Sequence, residues 1–87
     1  MRLVRLALAE RSFLQSADFL PPDLVEVVAT QLGQPAGGDH VYVSVSDEVG
    51  ERFRAAFTDQ LARAGFDAEY NLTASGETLE RLIDAFG

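Results

Sequence analysis

The chain contains no cysteine and no lysine, and it has one histidine. Without cysteine there are no disulfide staples, thiol nucleophiles or thiolate metal ligands, so the fold must rest on packing alone. All side-chain positive charge beyond that histidine is carried by seven arginines, set against fourteen acids for a net charge of -7. Such a surface repels phosphate backbones, which argues against DNA or RNA as a partner. The exclusive use of arginine would suit fork-like ion pairing, but a coding bias toward GC produces the same usage and is the preferred explanation. Long hydrophobic runs are also missing, so no bilayer span is expected. Met1 to Leu8 is apolar behind Arg2 and Arg5, yet Glu10 and Arg11 cut the run short of a signal peptide. A cytoplasmic location follows as the expectation.

What is present is a globular composition, with 47% hydrophobic residues over 87 positions. That is enough for one modest domain, taken as residues 1 to 87, and argues against general disorder. Val41, Val43 and Val45 alternate with Tyr42, Ser44 and Ser46, the period of a strand. Ser46 or Asp47 then caps a helix reaching Ala64, with an inward stripe of Val49, Phe53, Ala56, Phe57, Leu61 and Ala64. Glu48 with Arg52 and Asp59 with Arg63 are spaced to pair on its wet side, each pair contributing a few tenths of a kcal/mol. Gly65 ends that helix, and Phe66 to Leu72 reads as a second strand. A helical crossover of this length makes the two strands parallel and the connection right-handed.

Upstream, Arg2 to Glu10 reads almost equally as a strand covered on both faces and as a helix continuing to Gln15. Pro21-Pro22 turns the chain sharply. A helix follows over Leu24 to Leu32, started either by an Asp23 and Glu26 capping box or by Pro22 in the first turn. Leu24, Val25, Val28 and Leu32 face inward, and Gly33 is its stop. Gln34 to Asp39, with Pro35 and Gly37-Gly38, reads as a plain loop. A last helix, capped by Ser75, runs from Glu77 to Phe86 over a stripe of Leu79, Leu82, Ile83 and Phe86, with Glu77 and Arg81 paired outside. The expected fold is therefore a small α/β domain with a three-stranded, mainly parallel sheet in β-α-β-α-β-α order. The alternative order is α-α-β-α-β-α.

In a parallel α/β unit, ligands favour the crevice beyond the carboxyl ends of the strands. That rule selects Ser44, Ser46, Asp47 and Glu48 from one loop and Tyr70, Asn71, Thr73 and Ser75 from the other as ligand or partner contacts. The residue types make a poor catalyst. His40 lies at the opposite end of its strand from Ser46, about 20 Å away, too far for a Ser-His relay. Asp47 and Glu48 alone do not make a magnesium site. No catalytic residue, metal or cofactor is expected. Tyr42 and Tyr70 are assigned to one sheet face as packing residues. Residues 41 to 65, a strand, a Ser-Asp turn and an amphipathic helix, are similar to the opening unit of several signalling and phosphoacceptor domains, without a family-defining motif.

Open sheet edges need cover from local structure, another subunit or a partner strand. The functional expectation is a non-enzymatic protein-interaction module, accessory, regulatory or immunity-like, that uses an acidic surface or an open sheet edge and engages a protein partner or a second copy of itself. The alternative is a small-ligand or phosphate-sensing domain built on the loops after the two central strands.

Overall fold

The computed structural model describes residues 2 to 32 and 38 to 87. The first strand, β1, is Arg2–Ala7, and two helices follow it, α1 at Leu8–Gln15 and α2 at Pro22–Leu32. The second strand, β2, is His40–Val45, again followed by two helices, α3 at Asp47–Ala64 and α4 at Ala74–Phe86. The order is strand-helix-helix, twice over. β1 and β2 pair antiparallel in a two-stranded sheet, with Arg2 opposite Val45, Val4 opposite Val43 and Leu6 opposite Val41.

This overturns the three-stranded, mainly parallel expectation and its α-α-β-α-β-α alternative alike. Phe66 to Leu72 does not join the sheet. It folds into a tight turn closed by a single bridge between Phe66 and Leu72. With that segment gone there is no parallel crossover, and the remaining partner for β2 is β1, which runs the other way.

Arg2 to Glu10 is neither all strand nor all helix. It changes from one to the other at Ala7, whose N–H donates to the Glu10 carboxylate at 2.9 Å and so closes the first turn of α1 from within. The inner sheet face carries Val4, Leu6, Val43 and Val45, all buried, and the helices supply Leu14, Leu24, Val28, Leu32, Phe53, Phe57, Leu79, Leu82 and Phe86. At its centre, Phe53 and Phe86 stack with centroids 4.9 Å apart and Phe57 stands 5.4 Å from Phe86. Phe19 extends this cluster to the segment between α1 and α2 through an edge contact with Phe57.

Helix starts follow simple chemistry. α2 begins at Pro22, and Pro21 O accepts from the N–H groups of Leu24 and Val25 at 3.0 Å each, so the proline start prevails over the Asp23 box. Val25 stays exposed and Val27 packs against the core instead. α3 is capped by Ser46, whose hydroxyl accepts from Val49 N at 3.1 Å. Ala64, assigned to its inner stripe, is exposed. α4 is capped by Thr73 rather than Ser75: the Thr73 hydroxyl accepts from Gly76 N at 3.0 Å and donates to Gly65 O at 3.1 Å. The helix therefore starts earlier than expected, and Ser75 falls inside its first turn. Gly76 permits the close approach, because a Cβ there would strike the Gly65 carbonyl. The stop assigned to Gly33 and the loop residues Gln34, Pro35 and Gly37 lie outside the described residues.

Helix ends draw on arginines from elsewhere in the chain. Neither α2 nor α4 has a basic residue in its last turn. Leu32 O, at the end of α2, accepts from Arg11 Nε at 2.9 Å and from Gln15 Nε2 at 2.7 Å. Phe86 O, at the end of α4, accepts from Arg2 Nη2 at 2.8 Å. The same guanidinium has Nε 3.5 Å from Asp47 Oδ1, and Gly50 leaves the space it occupies. A cation placed between a helix end rich in carbonyls and a carboxylate is favourably sited from both sides. Arg52 pairs with Asp23 across to α2, not with Glu48 in its own helix, while Arg63 and Asp59 do pair, at 3.0 Å. Among the described residues no ion pair joins Glu77 to Arg81.

Candidate functional site

The residues selected from the sequence do not converge. Ser46, Asp47 and Glu48 open α3, whereas Tyr70, Asn71, Thr73 and Ser75 lie beyond its far end. The 18 residues of that helix hold the two groups about 27 Å apart. The crevice that would have joined them belongs to a parallel sheet, which this chain does not form.

Each group also spends its polar atoms internally. The Ser46 hydroxyl is occupied by Val49 N, and Asp47 and Glu48 place carboxylates where an anion would have to sit. In the turn at 66 to 72, Asp67 Oδ1 accepts from Glu69 N at 2.8 Å and from Asn71 N at 2.9 Å. Asp67 N donates to Asn71 O, and Tyr70 N donates to Asp67 O. The amides that could have cradled a phosphate are satisfied by the turn's own carboxylate. Tyr70 takes the left-handed conformation at φ 64, is 87% exposed, and lies in this turn and not on the sheet face assigned to it. Ser75 borders a shallow cleft of about 200 Å³, with Phe13, Phe19, Gln60 and Leu79 among its walls.

The surface that sequence reasoning missed is the outer face that β1 and β2 form together. Its outer face carries Leu3, Arg5 and Ala7 from β1 opposite Ser44, Tyr42 and His40 from β2. Leu3 is 68% exposed and Tyr42 55%. The Arg5 guanidinium reaches across to the His40 ring, with Nη2 2.9 Å from Nε2. The alternation of Val4 and Leu6 with Leu3 and Arg5 was the available signal, and it was diluted by reading the segment on to Glu10.

The two edges of this sheet differ. On the β2 side, the Gln31 side chain donates from Nε2 to Ser44 O at 2.6 Å, and its Oε1 accepts from Ser44 N at 2.7 Å. One amide side chain thus stands in for a neighbouring strand. Backbone groups alternate between edges along an antiparallel strand, so Ser44 facing outward means that its opposite number Leu3, and with it Arg5, also faces outward on the β1 side. Both residues are exposed, and that edge has no such cover among the described residues. Ala7, next along, has its N–H taken by Glu10.

Comparisons with protein families, curated proteins and solved structures returned no match. Among the described residues, no group of three or more metal-ligating side chains is gathered, and no helix is long and apolar enough to cross a membrane.

Proposed function

We propose that this chain is a non-enzymatic protein-interaction module whose docking element is the open β1 edge together with the outer sheet face. The observation that carries this reading is the asymmetry of the sheet. One edge is capped at Ser44 by Gln31, while the other presents the outward backbone groups of both Leu3 and Arg5 beside an exposed leucine and tyrosine. An edge of this kind is a template for another strand, with main-chain hydrogen bonds giving affinity and alternate side chains giving specificity. Tyr42 adds a large, stiff contact residue of the kind enriched at binding hot spots.

The ligand-sensing reading is less well supported, because the two loops it needs are a helix length apart and their amides are internally bonded. The test is a pair of baits, the native chain and Arg5→Pro. Of the backbone donors proline removes only the N–H that points away from β2, so the monomer keeps its ladder, and Arg5→Thr, which keeps that N–H, controls for the lost guanidinium on His40. A partner of this module is captured by the native bait and lost from Arg5→Pro, and its addition slows hydrogen exchange at the Leu3 and Arg5 amides. Capture unchanged by the proline places the contact elsewhere.

A further inference from the structure

The proposed module has an edge whose chemistry fits one occupant in particular. We infer that β1 pairs antiparallel with β1 of a second copy of this chain, giving a four-stranded sheet across a two-fold axis. This rests on the edge-docking reading above and adds the partner and the register.

Charge permits a second copy at the sheet. The chain carries fourteen acids at a net charge of -7, so two copies repel over most of their surface. Neither strand contains an aspartate or a glutamate: β1 reads RLVRLA and β2 reads HVYVSV. Every acid lies outside the strands, Glu10 being held on Ala7 N at the end of this edge, so pairing of the strands themselves sets no carboxylate against carboxylate.

Charge also selects the register. With Val4 opposite Val4 of the second copy, Leu3 faces Arg5 and Arg2 faces Leu6, so each arginine meets a leucine. A shift of two positions toward the helix sets Arg5 directly against Arg5, a like-charge pair that destabilises a ladder. A shift of two the other way keeps the arginines apart but leaves only residues 2 to 4 overlapped. The Val4 register is the longest that avoids arginine facing arginine. It also makes Leu3 and Arg5, the residues with outward N–H and C=O groups, the hydrogen-bonded pair. On the inner face it continues the Val43–Val4 pair through the axis as a row of four valines. On the outer face it lines up Tyr42, Arg5 and the Leu3 of the second copy, so that the exposed leucine gains the arginine stem as a neighbour.

Sedimentation velocity over a concentration series, with circular dichroism as the folding control, tests this. The native chain is expected to form a dimer in a reversible, concentration-dependent equilibrium. Arg5→Pro is expected to be a folded monomer, and Arg5→Thr, which keeps the N–H, to remain a dimer. Leu3→Glu and Leu3→Arg read the register, since both remove the leucine and set opposite charges against Arg5 of the second copy. The glutamate variant is expected to dimerise about fivefold more tightly than the arginine variant. General repulsion between acidic chains would reverse that order, and such a reversal overturns the register. A dimer indifferent to Arg5→Pro overturns the pairing itself. A native chain that stays monomeric overturns self-association: if Arg5→Pro still abolishes capture of another protein, the edge-docking function survives with a different partner, and if capture is indifferent to the proline, both readings fail.

Discussion

Residues 40 to 45 and residues 66 to 72 alternate in much the same way, yet one is a strand and the other a turn. In β2, Val43 and Val45 are buried, Val41 is half-buried, and a neighbouring strand lies alongside. In the second segment Phe66, Ala68 and Tyr70 stay exposed, and Leu72 is only half-buried. Nothing in the alternation of residues 66 to 72 distinguishes the two outcomes. The difference lies in Asp67, whose carboxylate gathers two amides of the same segment, and in Thr73, which ties the chain back to Gly65. A period of two describes a surface suited to a sheet, and local side-chain bonding can claim the backbone first.

Four substitutions press on this contrast. The largest effect is expected at the inner sheet face, where Leu6 is fully buried. Leu6→Ala should cost about 2–5 kcal/mol, read as a lowered urea midpoint at unchanged slope. A loss no larger than that of Phe66→Ala in the turn would erase the distinction between the two regions. Asp67→Ala should cost about 1 kcal/mol, because two amides lose their acceptor at an exposed site and recover water in its place. A neutral result would show that the turn is held by its backbone bonds and not by the carboxylate. The smallest effect runs the other way. Tyr70→Gly relieves a left-handed residue that bears a side chain and should add about 0.5 kcal/mol of stability after the added freedom of the unfolded chain, read as a higher midpoint. A loss of stability there would mean that the tyrosine ring, though exposed, makes a contact worth keeping.

Much of the helical half was legible in the sequence. Ser46 as cap, the reach of α3 to Ala64 and the burial of Phe53, Phe57, Leu79, Leu82 and Phe86 all follow from spacing and hydrogen-bonding chemistry. The switch at Ala7 was not legible, because neither glycine nor proline marks it and the deciding bond runs from Glu10 back to the backbone. The pairing of β1 with β2 was hidden by the apparent strand at 66 to 72, which offered β2 a nearer partner. The candidate site suffered most. Its residues were chosen by a rule for parallel sheets, so losing the third strand scattered them, while Leu3, Arg5 and Tyr42 acquired their place only once β1 was paired. The arginines, attributed to coding bias, include two that reach distant helix carbonyls, a task for which a planar fork is well suited.

Arg2 joins three parts of the molecule that are far apart in sequence: it belongs to β1, it holds the last carbonyls of α4, and it lies against the first turn of α3. Loosening the first strand therefore uncaps the final helix in the same event, and the two should open as one cooperative unit instead of fraying separately. Any protein that grips β1 takes hold of this knot as well, so a pull applied at the sheet edge is felt at once where the last helix ends.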